Sequence, residues 1–252
     1  MFLHSPSHAA LLARCLENNL RSVERRIAEA ARAAGRPADD VALVAVTKAV
    51  QPDVARALVA LGPRDLGENR VDELERKAAA LGAATREVRW HFVGHLQTNK
   101  ARRVARIADV VHSVDSVRLA RFLGRVAAEE GRRLAVYLQV ALTGEATKHG
   151  LDEAVLDEAV DAVAGAPALE LAGLMAMGPR GAAPEATSEV FARAAALARD
   201  LEARHGADRP PGARFAGGRV GLSMGMSGDL EAAIAAGSTC VRIGSDLFEE
   251  SA

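Results

Sequence analysis

Apolar residues recur every three or four positions near the start of the chain, which is the period of an amphipathic helix. The repeating apolar positions are Leu16, Leu20, Val23, Ile27, Ala30 and Ala34. Arginines and glutamates fill the opposite face. Ser7 can cap the start of this helix, and Gly35 and Pro37 follow its end. The pattern therefore predicts a helix over residues 8–34.

From residue 41 onward, short apolar runs alternate with longer segments of helical period. The first run, VALVAVT, is continuous and rich in β-branched residues, as in a strand buried on both faces. Eight strands are predicted, over residues 41–47, 64–66, 87–93, 109–113, 134–141, 169–175, 219–223 and 239–243. Helices are predicted over residues 52–61, 71–81, 98–107, 116–130, 152–163, 185–204 and 228–236, with a short one at 246–250.

Alternating strands and helices indicate a parallel sheet, and eight such units in one chain indicate a closed barrel. An open doubly wound sheet is the alternative, but no G-x-G-x-x-G motif follows the first strand. No linker divides the chain. We therefore expect a single α/β domain over residues 1–252, a (β/α)8 TIM barrel with an extra N-terminal helix. The Pro- and Gly-rich stretch 205–218 is expected to be a surface loop.

Composition argues against several classes of function. The 252 residues carry 32 Lys and Arg against 33 Asp and Glu, and a net charge of −1 argues against binding to nucleic acid through phosphate neutralisation. No apolar run approaches the roughly 18 residues of a membrane span, and the chain does not start like a signal peptide. Two cysteines, Cys15 and Cys240, cannot form a disulfide framework. We expect a cytoplasmic protein with no nucleic-acid or membrane partner.

Small and hydroxylic residues follow the last two predicted strands. Ser223 and Gly225 lie at the end of the seventh strand, and Gly244 and Ser245 follow the eighth. The loops after these strands form the recurring phosphate site of (β/α)8 barrels, where glycine allows close approach to backbone N–H groups. Each loop alone is better explained by turn glycines and helix caps. The two side by side favour a phosphate site.

Lysine is rare in this chain, and the four lysines are Lys48, Lys77, Lys100 and Lys148. Lys48 ends the first apolar strand, where a partly desolvated amine suits a Schiff base with an aldehyde. A snorkelling lysine in an ion pair explains the position equally well. Closure of the barrel puts the first strand beside the eighth, so that Lys48 lies about 5–10 Å from the phosphate loops. Pyridoxal 5′-phosphate (PLP), with an aldehyde at one end and a phosphate at the other, can bridge that gap.

Arg242 lies two residues before Gly244, so that both point to the same face of an extended strand. In PLP proteins the pyridine nitrogen faces either an aspartate or an arginine. Because an arginine is always charged, it keeps that nitrogen unprotonated. An arginine paired with a carboxylate at the barrel mouth is the alternative.

Seven segments, in order, span nearly the whole chain: VAVTK at 44–48, GENRVDE at 67–73, WHFVGHLQTNK at 90–100, TGEATKHG at 143–150, GLMAM at 173–177, LSMGMSGDLEAAIAAGST at 222–239 and VRIGS at 241–245. Together they resemble the pyridoxal phosphate homeostasis protein family, the YggS/PROSC-like group, which is similar in fold to the N-terminal barrel of alanine racemase. The resemblance implies a PLP site made of Lys48 as the Schiff-base lysine, Ser223, Gly244 and Ser245 at the phosphate, Arg242 at the ring nitrogen and, nearby, Asn69.

The same resemblance implies a role in intracellular PLP (vitamin B6) homeostasis, and because the predicted cofactor site has no second acid/base group, we expect little or no catalytic turnover. The expected partners are PLP and the PLP-dependent apoenzymes or B6-pathway enzymes that exchange it, and we expect a monomer or a weak dimer. A PLP-dependent amino-acid racemase of the alanine racemase type is one alternative, but it needs a second acid/base group, and the single tyrosine, Tyr137, lies inside a predicted strand. A Schiff-base aldolase acting on a sugar phosphate is another. No metal site is expected, because His91 and His95 straddle a strand end.

Overall fold

Eight parallel strands close into a barrel in the order β1 to β8, so that β1 lies beside β8. This architecture comes from a computed structural model that describes residues 8–143, 149–205 and 219–249. The strands are β1 Ala42–Val46, β2 Asp65–Glu68, β3 Arg89–Phe92, β4 Val110–Val114, β5 Leu134–Gln139, β6 Leu169–Met175, β7 Gly221–Ser223 and β8 Cys240–Ile243. The predicted (β/α)8 barrel is confirmed.

Helices follow the strands and surround the barrel. They are α1 His8–Ala33, α2 Pro52–Ala60, α3 Val71–Leu81, α4 Ala101–Ala105, α5 Val117–Glu129, α6 Leu156–Ala164, α7 Pro184–His205, α8 Leu230–Ala235 and α9 Ser245–Phe248. Among the described residues, none of these helices combines the length and the apolar character needed to cross a bilayer.

The main apolar core lies between the strands and the helices, and a smaller one lies inside the barrel. Side chains alternate along each strand, so that one set faces the helices and the other faces the barrel axis. Val44 and Val46 of β1 and Cys240 of β8 form the inner group with Val93. The inner face also carries polar side chains, which are described below.

The N-terminal helix α1 packs across the end of the chain. Arg26 forms ion pairs with Glu231 of α8 (2.7 Å) and with Asp246 of α9. The side-chain amide of Asn19 donates to the backbone oxygen of Leu247 at 3.2 Å. The extra N-terminal helix therefore holds α9 in place beside the seam where β8 meets β1.

Several element boundaries differ from the prediction. Strand β2 runs two residues beyond the predicted 64–66, because the carboxylate of Glu68 is paired and so can be buried at a strand end. The helix expected over 98–107 begins as a 3₁₀ turn, Thr98–Lys100, and α4 itself is short. Strand β5 stops at Gln139, since Val140 makes an isolated bridge to Leu151 instead of continuing a ladder. The predicted cap Ser7 and nearly all of the predicted loop, residues 206–218, lie outside the described residues.

Candidate functional site

Lys48 lies at the open end of the barrel formed by the carboxyl ends of the strands. It follows β1 by two residues and is exposed. Lys48 lies in the turn that follows β1, whose inward-facing residues Val44 and Val46 lead up to the mouth. In barrels of this class, ligands bind at this mouth. Of the other lysines, Lys77 is buried and Lys100 is exposed on the turn before α4.

The seam between β1 and β8 brings Lys48 close to the loop after β8. Val44 pairs with Arg242 in the parallel ladder. Further along the seam, a Cβ added to Gly244 would lie 3.3 Å from the backbone oxygen of Val46, which is tight contact. Gly244 and Ser245 therefore lie at the mouth beside the strand end that carries Lys48. Helix α9 begins at Ser245 with Gly244 as its N-terminal cap.

The loop after β7 joins the same part of the mouth. Gly225 adopts a positive φ of 93°, and a Cβ there would lie 2.7 Å from the Cβ of Ala233. Its backbone oxygen accepts a hydrogen bond from the backbone N–H of Arg242 at 2.9 Å. Glycine is required at this turn because its conformation is strained for other residues and the space is closed.

A chain of hydrogen bonds runs through the barrel interior, and we call it the interior column. It joins, in order, Arg242, Ser223, His112, His91 and Asp65. The guanidinium of Arg242 donates to Ser223 Oγ at 2.5 Å, and that oxygen lies 2.7 Å from Nδ1 of His112. The two imidazoles are 2.8 Å apart, and His91 Nε2 lies 2.7 Å from Asp65 Oδ1. The column thus crosses the barrel from the first residue of β2 to the carboxyl end of β8.

Burial keeps both imidazoles of the interior column neutral. Desolvation lowers the pKa of His91, although Asp65 opposes the shift. Desolvation also lowers the pKa of His112 well below its ordinary value, and the charge of Arg242 acts in the same direction. With both rings neutral, we assign the protons so that each group donates to the next, from the guanidinium to the carboxylate. The column then has a cation at the mouth end and an anion at the other end.

The two predicted site residues on the inner wall are already engaged by this column. Ser223 is fully buried, and its hydroxyl lies between His112 and Arg242. The guanidinium of Arg242 also donates to the backbone oxygen of Ala176 at 3.3 Å, and burial lowers its pKa. Arg242 and Ser223 thus form one unit at the inner side of the mouth, next to Gly244.

Asn69 follows β2 and is exposed at the mouth, one strand away from Lys48. Its backbone touches the loop after β3, where a Cβ added to Gly94 would lie 2.1 Å from the backbone oxygen of Asn69. The glycine at this position is therefore needed for two neighbouring mouth loops to meet. Of the predicted site residues, the structure brings Lys48, Arg242, Ser223, Gly244 and Ser245 to the β7–β8–β1 side, with Asn69 next to them on β2.

A second polar cluster lies on the other face of the same wall, towards α3. We call Thr47, Glu68 and Lys77 the outer cluster, and all three are fully buried. The Lys77 amine donates to Glu68 Oε1 and to the backbone oxygen of Thr47, both at 2.6 Å. The Thr47 hydroxyl donates to the same carboxylate oxygen. Lys77 thereby anchors the strand end that immediately precedes Lys48.

His91, considered above only as a metal ligand, is hydrogen-bonded within the interior column, and its partners His112 and Asp65 were not predicted from the sequence. The signal was present in the strands. His112 lies in the middle of the buried run VVHSV. His91 pairs with Gly67, two residues after Asp65, so that His91 and Asp65 face the same side of the sheet. Polar residues at inward positions of several barrel strands indicate a network inside the barrel.

Residues 18–252 match the sequence family described as "Alanine racemase, N-terminal domain". The pyridoxal phosphate homeostasis protein of Pseudomonas aeruginosa is 41% identical over 237 residues, covering 92% of this chain and 94% of that protein. The protein of the same name from Escherichia coli K12 is 37% identical over 242 residues, covering 92% and 95%.

A solved structure of PipY from Synechococcus elongatus, with PLP bound, is similar to this chain with a TM-score of 0.77 and 35% identity. The likeness covers 92% of this chain and 99% of PipY. Matches of this identity and extent are shared by members of one family. The chain therefore belongs to the alanine racemase N-terminal domain family and, within it, to the pyridoxal phosphate homeostasis proteins.

Proposed function

We propose that this chain is a PLP-binding protein of intracellular PLP homeostasis, acting as a single domain that holds the cofactor as a Schiff base on Lys48. The observation that carries the proposal is the exposed amine of Lys48 at the β1–β8 seam, beside the glycine-lined end of β8. Relatives named pyridoxal phosphate homeostasis protein and the PLP-bound PipY structure support the same cofactor.

The donors at the mouth fit the two ends of PLP. The Lys48 amine is the group that an aldehyde requires, and the backbone N–H groups at the start of α9, after its cap Gly244, are donors for an anion. Ser245 adds an exposed hydroxyl. We assign the phosphate to Gly244 and Ser245 together with Ser223. Ser223 would contribute by holding Arg242 in place and through the loop that follows β7.

Arg242 is assigned to the pyridine nitrogen. Bound PLP supplies an electron sink for amino-acid chemistry, and an arginine at the ring nitrogen weakens that sink because it keeps the nitrogen unprotonated. In the interior column, Arg242 is the charged group nearest the mouth, and its charge is fixed in place by Ser223 and Ala176. Asn69 is assigned to the rim of the site, where it is exposed.

We further propose that turnover is slow or absent. Tyr137, the single tyrosine of the chain, stacks on His112 with ring centroids 4.7 Å apart, and burial raises the pKa of its phenol. It is therefore poorly suited to exchange protons with a ligand at the mouth. In place of catalysis, the protein would pass PLP to PLP-dependent apoenzymes or exchange it with B6-pathway enzymes. A cytoplasmic location fits its free thiols Cys15 and Cys240.

A monomer or weak dimer is the proposed solution state. The exposed large apolar side chains of the described residues are Leu11, Val155 and Met226, which lie in α1, in the turn before α6 and in the loop after β7. Stable homodimers bury larger, more apolar patches than scattered single residues provide.

Borohydride reduction followed by peptide mapping tests the attachment. Purified protein loaded with PLP is reduced, digested and analysed by mass spectrometry, alongside Lys48→Ala and the control Lys100→Ala. We expect the pyridoxyl mass on the peptide that contains Lys48, and a visible absorption band that the control retains and Lys48→Ala loses. An unchanged, reducible band in Lys48→Ala would move the attachment to another lysine and refute the assignment.

Assays for turnover test the rest of the proposal. Racemisation or decarboxylation of an amino acid at an ordinary enzyme rate of about 1–10³ s⁻¹ would show that the protein is an enzyme. A colourless protein that forms a reducible adduct with a sugar phosphate and ignores PLP would favour the aldolase alternative. We expect neither result.

A further inference from the structure

Three polar side chains that the proposed PLP site does not use meet at the opposite side of the barrel mouth. We call His95, Asp115 and His149 the histidine cluster. Nδ1 of His95 lies 3.1 Å from Asp115 Oδ2, and Nδ1 of His149 lies 3.9 Å from the same oxygen. One ligand atom from each residue lies within 4.8 Å of the other two.

The barrel fold explains why these residues meet. His95 follows β3, Asp115 directly follows β4, and His149 lies in the segment that returns to the end of β5. These three strands are neighbours, and their carboxyl ends are spaced by about 4.8 Å. The cluster is therefore built on the strand ends that lie across the mouth from β7, β8 and β1.

Two further contacts hold the ligands in position. The close approach of Gly94 to Asn69 fixes the loop that carries His95. The side-chain amide of Gln139 donates to the backbone oxygen of His149 at 2.7 Å. The imidazoles of His95 and His149 stack with centroids 3.7 Å apart and planes 11° apart, so that their Nδ1 edges face the same carboxylate.

The donor set is that of a transition-metal site. Two imidazole nitrogens and one carboxylate oxygen suit zinc or another late divalent metal, whereas Mg²⁺ and Ca²⁺ prefer oxygen ligands alone. In a tetrahedral zinc site with bonds of 2.0–2.1 Å, neighbouring ligand atoms lie roughly 3.3 Å apart. The observed 3.1 and 3.9 Å lie on either side of that value. Because nearly parallel rings 3.7 Å apart cannot both point a nitrogen lone pair at one ion, ligation requires the two exposed imidazoles to rotate out of their stack around Asp115.

From this geometry we infer that His95, Asp115 and His149 bind one divalent transition-metal ion, with Zn²⁺ as the matching probe. The Asp115 side chain is 12% exposed, whereas those of His95 and His149 are 41% and 58% exposed. The ion would thus be held from the protein side by three ligands and would keep a fourth position open to solvent or to a ligand at the mouth. The inference is independent of the PLP site and contradicts the expectation of no metal site drawn from the sequence.

The chain contains a matched control. His205 and Asp157 form another imidazole–carboxylate pair, at 2.9 Å. The other group that contacts the Asp157 carboxylate is the guanidinium of Arg204, where the histidine cluster has a second imidazole. A metal ion would be repelled by the guanidinium there. A simple ion pair and a metal site are therefore distinguished by comparing substitutions in the two places.

The experiment is a Zn²⁺ titration of chelator-treated full-length protein by calorimetry, with metal analysis after dialysis. The proteins are the wild type, Asp115→Asn, His149→Gln and the control His205→Gln, each checked for folding by circular dichroism. We expect one equivalent of Zn²⁺ in the wild type and in His205→Gln. In the two cluster variants we expect affinity to fall by more than the roughly 10–100-fold that loss of an outer-shell partner costs.

Each remaining outcome contradicts the inference. If the folded wild type takes up no Zn²⁺, the cluster is an ion pair only. If Asp115→Asn and His149→Gln bind Zn²⁺ as tightly as the wild type, or if His205→Gln alone loses it, the metal lies elsewhere. Loss of PLP binding in any variant has no bearing on this test, because the readout is Zn²⁺ stoichiometry and affinity.

Discussion

The outer cluster lies on the outer face of the barrel wall at the carboxyl end of β2, whereas the interior column starts on the inner face at Asp65, the first residue of the same strand. In the outer cluster, Lys77 and Glu68 are both fully buried and form a direct ion pair, with the Thr47 hydroxyl on the same carboxylate. In the interior column, the groups between Arg242 and Asp65 are the Ser223 hydroxyl and two imidazoles whose pKa values are lowered by desolvation. The outer cluster pairs its charges in direct contact, whereas the column separates its cation from its anion by neutral groups.

We therefore assign the outer cluster to the stability of the fold and the interior column to the ligand site. Opposite charges in contact leave little field beyond the pair, so the outer cluster mainly fixes α3 to the end of β1. The interior column instead leaves the charge of Arg242 close to the mouth, with the column's carboxylate, Asp65, at its far end. That cation lies two residues before Gly244, where we propose that the PLP phosphate binds. Four substitutions test this division of roles.

Lys77→Met should have the largest effect on stability. It leaves the Glu68 carboxylate buried without its cation, and Oε2 of Glu68 already has no hydrogen-bond partner among the described residues. Loss of one partner of a buried ion pair costs about 3–5 kcal/mol. Urea unfolding followed by circular dichroism measures the loss, with the exposed Lys100→Met as the control. A loss as small as that of the control would show that the pair contributes nothing to the fold.

His112→Phe should cost less. Phenylalanine keeps a ring against Tyr137 but removes both hydrogen bonds of the imidazole, at roughly 1–3 kcal/mol for the groups left unpaired. The difference from the wild type should shrink on acidification. Because the folded pKa of His112 lies below the unfolded value near 6.5, wild-type stability is complete above that value and falls as the pH drops towards the folded pKa. Unfolding at pH 8 and pH 5 measures both effects, and a constant difference would contradict a neutral imidazole.

The double variant Glu68→Leu with Lys77→Met should recover most of what Lys77→Met loses. Replacing a buried ion pair by apolar residues of similar size is often neutral, so we expect stability within about 1 kcal/mol of the wild type. The double-mutant cycle gives the coupling between the two residues. If the double variant were as unstable as Lys77→Met alone, unpaired charge would not be the cause of the loss.

Lys48→Met should have the smallest effect on stability, within about 0.5 kcal/mol, because the side chain is exposed. It is the same lysine-to-methionine change as Lys77→Met, made at an exposed residue of the mouth instead of a buried residue of the outer cluster. We expect it to abolish reducible PLP binding while the unfolding midpoint stays unchanged. A large loss of stability would mean that Lys48, like Lys77, holds the fold together.

The barrel could be predicted from the sequence because the pattern of one strand followed by one helix recurs along the chain. Continuous apolar runs such as VALVAVT recur with the spacing of βα units, and tertiary packing then preserves that order even where boundaries shift. The prediction ended strand β2 two residues too early, since Gly67 and Glu68 do not look like strand residues until the partner Lys77 is known. A buried charge can be recognised from sequence only when its partner can be located as well.

The candidate site was predictable only in part. Lys48, Gly244 and Ser245 stand at strand ends, so the barrel topology alone brings them to one side of the mouth. The interior column and the histidine cluster depend on side chains that meet across several strands. Neither the rotation of His112 into the barrel nor the stacking of His149 on His95 follows from residue spacing, since both depend on packing between distant segments.

Closure of the barrel between its first and last strands has a consequence for biosynthesis. The groups that we propose hold PLP come from opposite ends of the polypeptide, Lys48 next to β1 and Ser245 at the start of α9. A ribosome delivers the chain from its N-terminus, so Lys48 emerges long before the strand that completes its surroundings. On our proposal, a nascent or prematurely terminated chain that lacks β8 would have the amine without the anion site, so PLP binding would await completion of the barrel.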